Sequence, residues 1–180
     1  MIVLKNLITA LCLASILVEQ PLCGQSKVSK EYQLKAAFLY NFAKFIQWPE
    51  KKFSDANSPI VIGVFGENLF GDELEKAVRG RKVNGRGIVV KQIQTVDAAS
   101  SVHLLFVPAA EDSRLAELKV NCQGASVLVV GESGTFTKRG GAIAFKIDGD
   151  NLRFEINTSA AEGAELKVNA QLLKLASNLR

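Results

Sequence analysis

Histidine and cysteine are scarce in this chain, which holds one histidine, His103, and three cysteines. A Ser/His/Asp triad or a histidine-based metal site would have to run through that single imidazole. Cys12 and Cys23 both fall in a stretch that reads as a removable leader. Processing therefore leaves Cys122 alone, which excludes an internal disulfide and a cysteine metal cluster. In an exported protein a lone thiol is either buried or open to pairing with another chain. Burial is the expectation, because free cysteine behaves as a small hydrophobe. Long apolar runs are missing too: Leu7–Val18 is broken by Thr9 and Ser15. It falls short of the ~20 residues a membrane span needs. Charge of one sign is not concentrated either. The net charge is +4, and the densest basic patches, Lys51–Lys52 and Arg79–Arg86, are short and lie beside turn residues. With no basic stripe and no reading motif, nucleic acid is excluded as a partner and the charges are expected to form a solvated surface.

What is present begins with export. Lys5, the short apolar run, Gln20-Pro21 and the small residue Gly24 follow the order of a secretory signal peptide. Cleavage is expected after Gly24, with the mature chain in the periplasm. A lipoprotein reading is weaker, because neither Cys12 nor Cys23 follows a small residue. Residues 25–180 have the size of one ordinary domain, large enough to fold without staples.

The spacing predicts a helix over Lys30–Trp48, capped by Ser29 and stopped by Pro49. It carries two apolar stripes. Tyr32, Ala36, Leu39, Ala43 and Ile46 form the first; Leu34, Phe38, Phe42 and Phe45 form the second. Gln33, Tyr40, Lys44 and Gln47 share a wetter face. One stripe suffices for docking on a sheet. The second is covered either by another helix of the same chain or by a partner. The latter reading makes Leu34, Phe38, Phe42 and Phe45 the candidate partner-binding residues.

Strands are predicted at Pro59–Phe65, Ile88–Ile93, Val102–Val107 and Ser126–Val130. Helical spacing lies at Asn68–Arg79 and Ser113–Val120, with a single turn at Asp97–Ser100. Such alternation predicts a parallel sheet. Two β-rich runs, Ala142–Ile147 and Leu152–Ile156, then read as a hairpin. Asn157 is placed to cap a helical turn through Ala161. Asn169 is placed to cap a last helix over Ala170–Leu179, with Leu172, Leu173, Leu175 and Ala176 inward. The expected fold class is therefore α/β: three layers, a mostly parallel sheet with helices on both faces, and a C-terminal antiparallel hairpin.

No catalytic set, metal site or cofactor motif announces itself. His103 lies at the N-terminal end of a buried strand, whereas sites in open α/β sheets gather at the other end, so a structural role is expected. Asp and Glu are scattered. The glycines from Gly63 through Gly66 to Gly71 match neither G-x-G-x-x-G nor a P-loop, and they are expected to serve the turn and close packing. Gly66, Glu67, Asn68, Glu132 and Ser133 should share the carboxyl end of the sheet, where a small ligand would sit if the chain binds one.

The segment Glu31-Tyr-Gln-Leu-Lys-Ala-Ala-Phe-Leu-Tyr-Asn-Phe-Ala-Lys-Phe-Ile-Gln-Trp-Pro49 resembles the opening helix of the YfiR/HmsC-like family of bacterial periplasmic proteins. The Val83-Asn84-Gly85-Arg86 turn, the His103–Val107 strand, and Gly140-Gly141 continuing through Phe154-Glu-Ile-Asn157 agree in order and spacing. So does Glu165-Leu-Lys-Val-Asn-Ala-Gln-Leu-Leu-Lys-Leu-Ala176. The resemblance implies a non-enzymatic envelope regulator. In the best-understood type the regulator binds the periplasmic portion of an inner-membrane diguanylate cyclase. That lowers cyclic di-GMP and restrains biofilm formation, and an outer-membrane lipoprotein relieves the repression by capturing the regulator. It also implies a homodimer. One departure limits the transfer: the type has pairs of cysteines, and here Cys122 alone survives processing. The other reading of the function is a periplasmic small-ligand-binding module.

Overall fold

A computed structural model describes residues 27–179, so the leader expected over residues 1–24 lies outside the described residues. Helix α1 spans Lys27–Phe45. Ser29 is therefore inside the helix and is not its cap. The helix also ends before Trp48, because Ile46–Gln47 leaves as a short strand, β1. Pro49 forbids a helix beyond Trp48, but the earlier exit is set by a distant segment that β1 pairs with. Strand β2 (Ile60–Phe65) is buried at every position, as a central parallel strand should be. Helix α2 (Glu73–Val78) is shorter than the periodicity of Asn68–Arg79 indicates. Leu74 and Val78 are buried, while Leu69 lies exposed in the turns ahead of the helix.

A two-residue strand β3 (Lys82–Val83) turns through Asn84 and Gly85 into β4 (Arg86–Ile93). Both turn residues have positive φ, 52° and 82°, the geometry that an Asn-Gly hairpin turn requires. A 3₁₀ turn at Asp97–Ser101 precedes β5 (Leu104–Val107). Helix α3 (Leu115–Cys122) and β6 (Leu128–Gly131) follow. The hairpin consists of β7 (Ile143–Asp148) and β8 (Asn151–Ile156), with Asp148 opposite Asn151 across the turn. Asn157 caps α4 (Thr158–Gly163) by accepting the Ala160 N–H at 2.9 Å.

Strand β9 (Lys167–Val168) is the partner of β1. Asn169 accepts the Gln171 N–H and starts α5, which spans only Ala170–Leu175. The helix expected to reach Leu179 stops there because Asn178–Leu179, strand β10, adds to β8 in parallel. Leu172 is buried, but Leu175 is 66% exposed and does not face inward.

The eight-stranded sheet runs β10-β8-β7-β6-β5-β2-β4-β3. It is parallel except at the β7/β8 and β3/β4 pairs. One face buries Leu39, Phe42, Ile62, Phe106, Phe145 and Phe154 against α1, with α2, α4 and α5 alongside. The other buries Val61, Leu105, Leu115, Leu118 and Phe136 beneath α3. Three layers and a C-terminal hairpin are thus the observed architecture. Phe136 is seated by two glycines: a Cβ on Gly131 or Gly141 would collide with its ring.

Candidate functional site

The carboxyl end of β6 meets the first helix at a buried charge. Lys35 lies on the same helical face as Tyr32 and Leu39, and its side chain is only 4% exposed. A lysine is driven there only if its ammonium finds partners. Lys35 Nζ forms ion pairs with Glu31, one turn back at 2.5 Å, and with Glu132, just past β6. The Glu132 carboxylate also accepts the Tyr32 hydroxyl at 3.2 Å and the Ala109 backbone N–H at 2.8 Å. Burial first, and then the Glu132 carboxylate, push the Tyr32 phenol well above its ordinary value. It stays protonated as a donor.

This cluster borders an open groove of about 410 Å³ lined by Glu31, Lys35, Glu132, Gly134, Lys146 and Leu152 among others. Of the five residues expected at this end of the sheet, Glu132 reaches the groove. Gly66 terminates β2 with φ 71° and offers its carbonyl to the Gln92 amide. Asn68 is occupied by its own turn, accepting the Phe70 N–H and donating to the Gly71 carbonyl, both at 3.0 Å. Glu67 is exposed. Ser133 donates to Asp112 at 2.8 Å. These four lie outside the groove's lining. Tyr32 and Lys35 escaped the sequence reading. The available signal was a lysine three residues after one member of the first apolar stripe and four before another.

The second apolar stripe of α1 is largely covered by the chain itself. Phe42 is fully buried, with ring centroids 5.6 Å from Phe145 and 5.0 Å from Phe154. Phe38 packs on the same two rings, at 6.0 and 5.6 Å, and Phe45 is half-buried against the core. Leu34 alone of the four is exposed, at 47%. The expectation of a four-residue contact surface is corrected here. The β7–β8 hairpin, rather than another helix, supplies the aromatic cover.

His103 sits at the opposite end of the sheet. Its Nδ1 accepts the Val61 N–H at 3.1 Å, so the neutral ring carries its proton on Nε2. Phe53 lies against the ring at 4.6 Å, the Arg86 guanidinium lies over Phe53 at 3.8 Å, and Trp48 meets His103 edge-on. Burial, followed by the charges of Lys52 and Arg86, lowers the imidazole pKa to about 4. It is a strand-end acceptor wedged in an aromatic stack. Cys122 is buried on α3, and burial raises its thiol to about 11. It borders a second groove of about 470 Å³ between α3 and α4. Among the described residues, no cluster of three or more His, Cys, Asp or Glu could hold a metal, and no helix is long and apolar enough to cross a membrane.

The sequence profile of a family described as YfiR/HmsC-like matches residues 32–177. No curated protein matches the chain. Among solved structures it is similar to a conserved domain protein from Vibrio cholerae O1 biovar El Tor, at 12% identity and a TM-score of 0.58. That similarity covers 83% of this chain and 60% of the other, so the chain spans about three fifths of that protein's length. It is also similar to the ABC domain, in complex with L-Trp, from Streptococcus pneumoniae, at 14% identity and a TM-score of 0.48. Here 67% of this chain and 55% of the other are covered. At such identities the first likeness speaks for the fold alone, and the second is too loose to carry even that.

Proposed function

The chain belongs to the YfiR/HmsC-like family of periplasmic regulators, and on that basis we propose that it represses an inner-membrane signalling protein by binding its periplasmic portion. The intended target is a diguanylate cyclase, so repression lowers cyclic di-GMP and restrains biofilm formation. An outer-membrane lipoprotein that captures the regulator would relieve it. Repression of this kind needs only differential affinity for one state of the target. The observation that carries the reading is the family match across 32–177, nearly the whole described chain. The site chemistry is in keeping with it: the one imidazole is held neutral as a backbone acceptor, and the thiol is buried well above its working range.

Deleting the gene and measuring cyclic di-GMP tests the proposal. A rise with increased biofilm, reversed by the exported protein, is expected. Unchanged cyclic di-GMP after deletion overturns it. A second reading, a small-ligand module, is favoured by one observation: the groove of about 410 Å³ lies at the carboxyl end of the sheet, beside Lys35 and Glu132. Its test is calorimetric titration of the purified chain with small amines and carboxylates, with Glu132→Gln as the control.

A further inference from the structure

Strand β4 is eight residues long, and β3 covers only its start, pairing Lys82 with Gly87 and Val83 with Arg86. On its inner side β4 pairs with β2 from Ile88 to Ile93. The Gly66 N–H donates to the Ile93 carbonyl at 3.0 Å. In a parallel ladder, backbone groups point alternately to either side. Val89, Lys91 and Ile93 thus turn their backbone groups to β2, and Ile88, Val90 and Gln92 turn theirs outward. Among the described residues no strand pairs with that outward edge.

The other end of the sheet is treated differently. There β10 pairs with β8, and the Phe154 carbonyl receives both the Ser177 N–H and the Ser177 hydroxyl, at 2.9 and 2.8 Å. Sheet edges are normally blunted by proline, by brevity or by covering segments. Charge, lysine above all, blunts an edge as well. From Ile88 to Ile93, β4 has no proline and no covering strand among the described residues, and Lys91 is its one guard, which an acidic segment would turn into a contact.

Charge narrows the choice of occupant. From Arg79 to Val96 the chain has five bases, Arg79, Arg81, Lys82, Arg86 and Lys91, and no acid. Arg86 is engaged with Glu50, and Arg81 lies over the Tyr40 ring. Arg79, Lys82 and Lys91 are exposed and make no ion pair among the described residues. A second copy laid along this edge would bring two such basic segments together with no counter-charge, which disfavours pairing. An acidic strand would instead meet both the backbone groups and the bases.

We propose that the outer edge of β4 is a strand-addition site for an extended, acidic segment of a partner protein. The inference rests on the regulator reading and specifies its contact. The segment would take the N–H and carbonyl groups of Ile88, Val90 and Gln92, with its carboxylates beside Lys82 and Lys91.

The test uses the full mature chain and three fluorescein-labelled eight-residue peptides. One alternates Val or Thr with Glu, one replaces Glu by Lys, and one is the acidic peptide N-methylated along one edge. By fluorescence anisotropy, the acidic peptide is expected to bind at least tenfold tighter than the basic one. N-methylation should cost at least tenfold. Val90→Pro, which removes one outward N–H on an edge strand that tolerates it, should cost as much with an unchanged circular dichroism spectrum. Lys82→Glu with Lys91→Glu should invert the charge preference. Should Val90→Pro fail to fold, the N-methylated peptide decides on the unaltered protein. Equal binding of acidic and N-methylated peptides, no acidic preference, or stronger competition by a DNA oligonucleotide overturns the proposal. So does self-association of the wild type that Val90→Pro abolishes. In cells, the two readings separate. If deletion raises cyclic di-GMP but the Lys82→Glu, Lys91→Glu chain represses as well as wild type, the edge proposal falls and the regulator reading stands. If deletion changes nothing, the regulator reading itself falls.

Discussion

Lys35 of the first helix and Glu132 at the end of β6 form a buried ion pair, with side chains 4% and 9% exposed. The pair joins residues 97 positions apart and ties α1 to the carboxyl end of the sheet. Removing one partner leaves the other charge largely out of water at the groove's edge, without its counter-ion. Lys35→Met is therefore expected to cost about 3–5 kcal/mol, read as a lower urea midpoint at constant m-value. The double variant with Glu132→Leu should recover only part of the loss, because the Tyr32 hydroxyl and the Ala109 N–H also lose their acceptor. A single variant as stable as wild type would mean that the pair adds nothing.

His103 supplies a pH dependence whose sign is fixed. Its folded pKa is lowered from 6.5 to about 4. Between these values the unfolded imidazole binds a proton that the folded one refuses, so stability falls as pH drops from about 6.5 to about 4 and levels off below. The full loss attributable to this residue is about 3 kcal/mol. Other groups titrate in the same window, so the measurement is the difference between wild type and His103→Gln by urea unfolding at pH 7 and pH 4.5. The variant should show the shallower dependence, and repression in cells should survive it. Equal slopes would refute the assignment.

Phe42 and Leu34, both on the second stripe of α1, should respond very differently to charge. Phe42 is enclosed by Phe38, Phe145 and Phe154. Phe42→Ala is expected to cost about 3–5 kcal/mol, and Phe42→Glu to abolish the folded circular dichroism spectrum. Leu34→Glu, on an exposed position, should stay within about 0.5 kcal/mol of wild type. If Phe42→Glu folds normally, the aromatic packing described for this helix is wrong.

Cys122 is expected to be chemically quiet. Its thiol is buried and raised to about 11, and the thiolate is the reactive form. Labelling by a disulfide reagent at pH 8 should be at least a hundredfold slower in the native protein than in urea. A reducing agent should leave the Tm of the processed chain unchanged. Rapid native labelling would show that the helix end opens readily.

Local pattern was enough to place the central strands, the β7–β8 hairpin and the Asn157 and Asn169 caps, because each depends on neighbours in sequence. Distant pairing was not legible. Ile46–Gln47 leaves the helical register to meet Lys167–Val168, and Asn178–Leu179 abandons a leucine-rich helix to join β8. Neither choice is visible at helical spacing, since two-residue strands carry no periodicity. At the candidate site, Glu132 was readable from its place after a strand. Lys35 and Tyr32 were not, because the topology that lays α1 across that strand end is itself non-local. The aromatic second stripe of α1 shows in the sequence that it needs cover, and only the identity of the cover lay beyond the sequence.

The aromatic enclosure of Phe42 imposes an order of events on a chain made from its N-terminus. Its partners Phe145 and Phe154 follow by 103 and 112 residues. At about 5–20 residues per second of synthesis, that separation amounts to roughly 5–20 s. Throughout that interval α1 carries two apolar stripes with nothing to bury one of them. The incomplete chain is therefore sticky for far longer than its helix takes to form. A holding chaperone would have its natural grip on residues 34–45, and a chain truncated before the hairpin should be found in the insoluble fraction.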